Sequence, residues 1–248
     1  MDNSAYVALS LARSLERSLD VVANNLANSD TAGYKAQRTD FQDLVEHSLS
    51  PSQGGVAFVQ SNGSHIDPSA GALVKTGNPL DVALSGNGWF GYPTSTGQAA
   101  FGRDGRMAIN AQGQLVTTAG AQVLDANGAP ISIPATTGGP ITIAGDGTIT
   151  DAQGTVVGKI GVFNVPNIET YQRIGGGMLV APDGGTPPRV QATGVRLSQG
   201  FIEQSNVEPV LEMTRMIDIQ RAYERAMSLI QDDNSLRQQT LTQLGQAG

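Results

Sequence analysis

The chain has 248 residues, 22 of them acidic and 15 basic, and its formal net charge of -7 argues against a surface that neutralises nucleic-acid phosphates. Only 15% of the residues are charged and 31 are glycine, against roughly 25% charged and about 7% glycine in an average soluble domain, so the sequence is rich in turns. It contains no cysteine, which excludes disulfides and thiolate metal sites, and no apolar run approaches the ~18 residues that would cross a bilayer.

The first residues do not have the pattern of a cleavable signal peptide. Asp2 stands where a basic start is expected, and Arg13, Glu16 and Arg17 interrupt any apolar core. We therefore expect that, if the protein leaves the cytoplasm, it does so without signal cleavage, and we expect no direct insertion into a membrane.

The first predicted element, over residues 1–35, is a long amphipathic helix followed by a turn. Its apolar positions alternate in steps of three and four and so share one narrow face: Ala5, Ala8, Ala12, Leu15, Leu19, Val22 and Leu26. The polar residues 28–33 end it, and Gly33 can adopt the left-handed conformation that closes a helix. We expect a helix of roughly 24 residues, about 36 Å long.

Residues 36–76 read as a connector. The apolar residues Phe41, Leu44, Val45 and Leu49 indicate a short amphipathic helix that ends before Pro51. The following stretch is rich in Gly, Ser, Asn and Gln, which predicts an extended segment with a strand at 56–60.

Residues 77–200 have an apolar period of two and regular turn signals, which predict an all-β domain of short antiparallel strands. Glycine follows a polar residue at each expected hairpin turn, because such turns need a positive φ. These pairs are Asp104-Gly105, Gln112-Gly113, Asn127-Gly128, Asp146-Gly147 and Gln153-Gly154. The runs between them include 107–109, 115–117, 131–133, 141–143 and 159–163.

The last predicted element, within residues 201–248, is a second long helix. Asn206 is its expected N-cap, and Pro209 fits the first turn, where amides lack intrahelical partners. Its apolar face is formed by Met216, Ile219, Tyr223, Ala226 and Ile230, broadened by Met213 and Met227, with Leu244 in phase at the tail. Neither terminal helix can bury its stripe alone, so we expect them to pack on each other, on copies of themselves, or on both.

The predicted fold class is therefore α+β, with the N- and C-terminal helices paired as a coiled-coil-like element around an all-β middle. We hypothesise that Leu15, Leu19, Val22 and Leu26 pack against Met216, Ile219, Tyr223 and Ile230. The outward faces of both helices would then engage adjacent subunits.

The sequence predicts no catalytic, cofactor-binding or metal-binding residue. Residues 86–91 spell the dinucleotide fingerprint G-x-G-x-x-G, but strand and turn residues follow where the motif needs a helix. A glycine turn that leads into Trp89 and Phe90 as core residues explains this stretch better. The two histidines, His47 and His65, have no neighbours at metal-ligand spacing.

Three asparagines near the end of the first helix allow two interpretations. Asn25 lies beside the apolar seam, Asn24 faces away from it, and Asn28 follows the last apolar position. The amides either fray the helix end, since Asn is a poor interior helix former, or hydrogen-bond neighbouring chains and fix their register. Spacing alone does not choose between these.

Several motifs resemble the rod and hook family of bacterial flagellar axial proteins. They are residues 22–28 and 31–35 near the N-terminus, with Gly33 and Tyr34, and 205–207 with Met213, Met216 and 220–224 near the C-terminus. Residues 77–83, 86–90, 101–105 and 113–116 are similar to the β-domain core of that family. The chain length, the junction at 207–210 and the residues 232–234 look most like the proximal-rod members, with distal-rod and hook subunits as alternatives.

The resemblance implies a structural subunit that polymerises helically into the rod, the drive shaft that crosses the periplasm. Its partners would be copies of itself, other rod subunits and the flagellar type III export apparatus, with no cofactor and no nucleic acid. A secreted β-rich adhesin or enzyme is the alternative of another class, since glycine-rich turns would serve it equally well.

Overall fold

The computed structural model describes residues 2–46, 56–94, 97–134, 139–182 and 190–246, which fall into two compact units. The helical unit consists of Met1–Ala27, Gln37–His65 and Glu208–Gly248. The β body consists of Asn28–Ala36 and Ile66–Val207. The observed class is α+β, with a helix at each end and a β-rich middle, as the sequence predicts.

The first helix, α1 (Asp2–Ala27), has 26 residues and confirms the predicted element. Its face follows the predicted seam: Ala8, Ala12, Leu15 and Val22 are buried, whereas Leu19 and Leu26 are half-buried. The side chain of Ala5 lies outside the described residues. The structure adds polar members to the buried face that the apolar pattern does not contain, namely Ser14, Ser18 and Asn25.

The second helix, α2 (Pro209–Gln246), has 38 residues and also confirms a predicted element. It begins at Pro209, whose fixed φ suits a first helical position. The prediction of Asn206 as its N-cap is therefore wrong, because Asn206 lies three positions before the helix. Of the predicted apolar face, Ala226 is buried and Met216, Ile219, Met227 and Ile230 are half-buried, but Tyr223 and Met213 are exposed. The side chain of Leu244 is outside the described residues.

The helical unit also contains a two-stranded sheet of β1 (Gln37–Glu46) and β2 (Val56–Ile66). The predicted short helix is therefore wrong over residues 41–46, and residues 47–49 of that prediction lie outside the described residues. Pairing with β2 supplies inter-strand hydrogen bonds that the apolar spacing of residues 41–46 alone cannot reveal. The strand predicted at 56–60 is confirmed and continues to Ile66.

The β body is built from short strands whose pairings within the described residues are all antiparallel. Most of these strands pair with the strand before or after them in the chain. Its strands are β3 (Leu73–Lys75), β4 (Val82–Ser85), β5 (Trp89–Pro93), β6 (Ala99–Gly102), β7 (Met107–Ile109), β8 (Leu115–Thr117), β9 (Thr142–Ile143), β10 (Thr148–Thr150), β11 (Val156–Lys159), β12 (Val162–Asn164), β13 (Gln172–Arg173), β14 (Leu179–Val180), β15 (Val190–Gln191), β16 (Arg196–Gln199) and β17 (Phe201–Glu203).

Among the described residues the largest sheet of the body has the order β13-β14-β6-β5-β12-β15, and a three-stranded sheet has the order β11-β10-β9. Three strand pairs, β16-β4, β17-β3 and β7-β8, complete the pairing. Phe90, Tyr92, Leu115 and Ile149 lie in one apolar core, and Phe101 and Phe163 meet edge-on in a second at 6.1 Å between ring centroids.

Several predicted hairpin turns are present. Gly113, Gly147 and Gly154 have positive φ angles and lie between β7 and β8, β9 and β10, and β10 and β11. Asp104-Gly105 is not such a turn: a Cβ at Gly105 would lie 1.7 Å from the carbonyl oxygen of Val82, so glycine is needed there for close backbone approach. The predicted run 131–133 contributes a single isolated bridge, between Ser132 and Gln114.

The interpretation of residues 86–91 as a turn before core residues is confirmed. β5 begins at Trp89, so a strand follows the glycines where a dinucleotide site would need a helix. Trp89 and Phe90 are both buried.

Candidate assembly site

The two long helices lie against each other in the helical unit and run antiparallel. Near the end of α1, the Asn25 amide nitrogen lies 3.3 Å from the carboxylate of Glu212 in the first turn of α2. Earlier in α1, Leu15 lines a shared groove with Tyr223, which comes later in α2. Residue numbers thus rise along α1 as they fall along the facing part of α2.

A groove of about 430 Å³ opens between these helices, and we call it the helix groove. Its apolar lining combines both predicted seams: Leu15, Leu19, Ile219 and Tyr223. Acidic side chains line it as well, Glu16 from α1 and Glu224 from α2. The groove therefore offers an apolar floor beside two carboxylates.

The helices also carry large apolar side chains that the described part of the chain leaves exposed. They are Tyr6 and Leu9 on α1 and Val210, Leu211, Met213, Ile217, Leu229 and Leu236 on α2. Exposed apolar side chains that follow one another along a helix are typical of surfaces that another chain covers. In the body, the exposed large apolar residues among those described are Leu73, Val74, Ile109 and Val156.

Asn25 is held inside the helical unit rather than frayed. Its amide nitrogen donates to the Gln37 carbonyl at 2.8 Å, and its amide oxygen accepts from the Gln37 backbone nitrogen at 2.9 Å. The side chain is buried and pairs with the start of β1 as a neighbouring strand would. Asn24 is exposed and its amide donates to the Asp20 carbonyl one turn back.

Glu212 connects Asn25 to two arginines. Its carboxylate is buried and accepts from Arg38 of β1 at 2.7 Å and from Arg215 of α2 at 2.6 Å. Arg38 and Arg215 are partly exposed, so they connect the buried carboxylate to solvent. This network fixes α1, β1 and the first turn of α2 relative to one another within the unit.

The remaining predicted residues of the N-terminal signature belong to the β body. Gly33 has a φ of 68°, as expected, but α1 has already ended at Ala27, so Gly33 does not close the helix. A Cβ at Gly33 would lie 2.2 Å from the backbone nitrogen of Asp104, which explains why glycine is required. In the turn that precedes Gly33, the side chain of Asn28 accepts a hydrogen bond from the Thr31 hydroxyl.

Tyr34 and Asn206, from opposite ends of the sequence, meet in the body. Tyr34 is buried, and its ring lies 4.0 Å from the guanidinium of Arg173. Asn206 accepts from the backbone nitrogen of Ala36 at 2.6 Å and donates to Asp67 and Ser69. The side-chain amide of Asn206 thus joins the two signature segments.

The sequence analysis missed a buried charge cluster centred on Glu203. Its carboxylate accepts from Lys35 at 2.5 Å, from Arg103 at 3.0 Å and from the backbone nitrogen of Gly71 at 2.9 Å. All three charged side chains are almost fully buried, and the Arg103 guanidinium lies 5.0 Å from the Trp89 ring centroid. Lys35 and Arg103 each lie within a motif that resembles the axial family, residues 31–35 and 101–105. That shared membership was the only sequence signal that could have pointed to the cluster.

Burial dominates the electrostatics of this cluster. It lowers the pKa of Lys35 and of Arg103, and the Glu203 carboxylate opposes both shifts. Without Glu203, burying Lys35 or Arg103 would cost desolvation free energy that no counter-charge offsets. The three residues therefore act as one structural group.

In the described ranges, no group of three His, Asp or Glu side chains is placed to hold a metal ion, and no helix has the length and apolarity to cross a membrane. His65 accepts or donates a hydrogen bond with Asp40 at 2.9 Å on the exposed side of β1 and β2.

Three family models match the chain in order. They are the flagella basal body rod protein model over residues 6–35, the flagellar hook protein FlgE/F/G D1 domain over 83–151, and the flagellar basal body rod FlgEFG protein C-terminal model over 198–244. The matches cover α1 with its turn, part of the β body, and the end of the body with most of α2.

Curated relatives are similar over nearly their whole length. The chain is 39% identical to the flagellar basal-body rod protein FlgF of Mesorhizobium japonicum and 37% identical to FlgF of Caulobacter vibrioides, covering 99% of each chain in both cases. It is 32% identical to the rod protein FlgG of Bacillus subtilis, covering 96% of this chain and 98% of the relative.

Proposed function

This chain belongs to the family of flagellar basal-body rod proteins, and from that membership we propose that it is built into the rod through its paired terminal helices. The family is structural and not enzymatic. The observation that carries the proposal is the concentration of uncovered apolar side chains on α1 and α2, the same helices that the family models match at both ends.

The energetics favour this use of the helices. Covering a large apolar side chain contributes roughly 1.5–3 kcal/mol, and a polymer repeats that gain at every subunit. We propose that α1 and α2 pair in a coiled-coil-like manner, that their seam residues fix the pair, and that their outward faces contact neighbouring subunits. Torque would then pass through many small contacts.

The proposal also includes the place of the subunit along the rod and the pathway by which it is exported. The identities to FlgF proteins support a place in the proximal rod, with a distal-rod or hook position as the alternative. We further propose export by the flagellar type III pathway without signal cleavage, and a final location in the rod that crosses the periplasm. Copies of this chain and other rod subunits would be its partners.

Two double variants with matched exposure test the role of the helices. Leu9 and Leu236 are 41% and 61% exposed on α1 and α2, and Ile109 and Val156 are 39% and 63% exposed on the body. In cells that lack the native gene, the chain with Leu9→Ser and Leu236→Ser should be exported but largely absent from purified basal bodies, and swimming should be lost. The chain with Ile109→Ser and Val156→Ser should be incorporated normally.

The opposite pattern would overturn the proposal. If the helix variant entered basal bodies as well as the unaltered chain, the helices would not carry the subunit contacts. Circular dichroism of the purified chains checks that both variants are folded.

A further inference from the structure

The helix groove carries two carboxylates that have no partner among the described residues. Glu16 and Glu224 line it, both are exposed, and neither makes an ion pair or hydrogen bond within the part of the chain that the structure describes. The apolar part of the lining is formed by Leu15, Leu19, Ile219 and Tyr223. An occupant of the groove must therefore combine apolar side chains with positive charge.

One ridge of α2 has this combination. Ile217, Arg221, Arg225 and Leu229 follow one another at intervals of four, so they form a single row along the helix surface. Ile217 is 49% and Leu229 is 62% exposed, and both arginines are exposed. Neither arginine has an ion-pair partner in the described ranges. The row, which we call the basic ridge, is apolar at both ends and basic in the middle.

We propose that the helix groove of one subunit receives the basic ridge of a second copy of this chain. Packing of one helix's ridge into the groove of others is the usual mode of helix contact. Here Arg221 and Arg225 would meet Glu16 and Glu224, while one apolar end of the ridge, Ile217 or Leu229, covers the apolar floor. This deepens the proposed function and rests on it, because it names the partner of the assembly helices.

The positions of groove and ridge fit a polymer. Successive residues turn by about 100° around a helix, so Ile219 and Tyr223 in the groove lie about 120–160° from the two ridge arginines. Glu224, about 60° from Arg221, lies at the edge between the two surfaces. One subunit can therefore insert its ridge into a neighbour while its own groove receives another ridge. Contacts between different patches of identical subunits build open helical assemblies when the rotation does not close.

A row on α1 has the same residue pattern and provides a matched comparison. Leu9, Arg13, Arg17 and Val21 also follow at intervals of four, with two exposed arginines in the middle. Val21 is half-buried within its own chain, so this row lacks one free apolar end. The inference therefore assigns the groove to the α2 ridge and not to this row.

Charge reversal tests the pairing in basal bodies of cells that lack the native gene. The groove variant, Glu16→Arg with Glu224→Arg, and the ridge variant, Arg221→Glu with Arg225→Glu, should each lower incorporation about tenfold, the effect of about 1.4 kcal/mol. The chain with all four substitutions has a basic groove and an acidic ridge, so its incorporation should return close to that of the unaltered chain.

The comparison variant is Arg13→Glu with Arg17→Glu, which makes the same charge change at the same spacing. It should be incorporated normally. Normal incorporation of the groove and ridge variants would overturn the inference, and so would a fourfold variant as defective as the double variants. In either case a defective Leu9→Ser, Leu236→Ser chain would leave the proposed function standing.

A cysteine pair gives a second, independent readout. The chain has no native cysteine, so Tyr223→Cys with Leu229→Cys introduces one groove thiol and one ridge thiol. The two positions are separated by about 9 Å along the helix, beyond the ~7 Å that a disulfide spans, so any bridge must join two copies. Oxidised basal bodies should yield covalent multimers of this chain; monomers alone would overturn the inference.

Discussion

Asn24 and Asn25 are adjacent amides on α1 with very different surroundings. Asn25 is buried and makes two hydrogen bonds to the backbone of Gln37, whereas Asn24 is exposed. The variant Asn25→Ala would leave the backbone donor and acceptor of the half-buried Gln37 without these partners, which costs up to about 1–3 kcal/mol. We expect it to destabilise the helical unit and to accelerate hydrogen exchange at the Gln37 amide.

Asn24→Ala is the control for this prediction. It removes one exposed hydrogen bond to Asp20 and introduces a better helix former, so stability should stay the same or rise slightly. Exchange of the Gln37 amide at the native rate in Asn25→Ala would contradict the role assigned to Asn25.

Glu203 compensates two buried cations in the β body. In Glu203→Gln the side chain keeps its shape, but Lys35 and Arg103 lose their shared counter-charge. Breaking a buried ion pair in this way costs about 3–5 kcal/mol, so the body should unfold at a much lower urea concentration. Trp89 is the single tryptophan and lies beside Arg103, so its fluorescence reports the transition.

Glu169→Gln makes the same chemical change at a half-buried carboxylate of a short 3-10 helix in the body. Its urea midpoint should match that of the unaltered chain. Equal midpoints for both variants would show that Glu203 is not needed to hold the cluster.

At the residue scale, the sequence predicted apolar burial well and polar pairing poorly. The seam from Ala8 to Val22 follows from helical periodicity, which is a local property. Asn25 with Gln37 and Glu203 with Arg103 are contacts between distant parts of the sequence, and no local pattern specifies them. Asn206 was assigned as a helix cap for the same reason: its partners near Ala36 and Asp67 are far away in sequence.

At the element scale, small buried residues characterise the packing of the terminal helices. Ala12 of α1 and Ala226 of α2 are 4% and 1% exposed, and small side chains at a helix contact allow the axes to come close. Enlarging either one to leucine should overpack the contact and cost about 1–3 kcal/mol. We expect Ala12→Leu and Ala226→Leu to lower the melting temperature of the helical unit, followed by far-ultraviolet circular dichroism.

Ala23→Leu adds the same volume at an exposed position of α1. It should leave the melting temperature unchanged, since leucine is also a good helix former. A similar loss of stability in all three variants would mean that the added side chain acts through something other than helix packing.

The elements themselves were predictable to different degrees. Two long helices have enough repeats of the three-four spacing to identify them, and glycine turns such as Gly113 and Gly147 mark hairpins of the body. β1 was not predictable, because residues 41–46 have apolar spacing that also suits a helix and become a strand only by pairing with β2.

At the scale of the whole molecule, the two units differ in how far they bury their apolar side chains and pair their charges. The β body buries most of its aromatic residues in its own cores and pairs the buried cations Lys35 and Arg103 with Glu203. Among the described residues, the helical unit leaves large apolar side chains exposed along both helices, and Glu16, Arg221, Glu224 and Arg225 have no ion-pair partner there. That contrast follows if the body is complete in one chain and the helices are completed by neighbouring subunits.

The most direct test is a cryo-electron microscopy reconstruction of the intact basal body with this subunit traced. Leu229 and Leu236 on α2 and Val156 on the body begin with nearly equal exposure in the single chain, 62%, 61% and 63%. The account predicts that neighbouring subunits bury both leucines while Val156 stays exposed. Leucines left in solvent, with the β body making the subunit contacts, would contradict it.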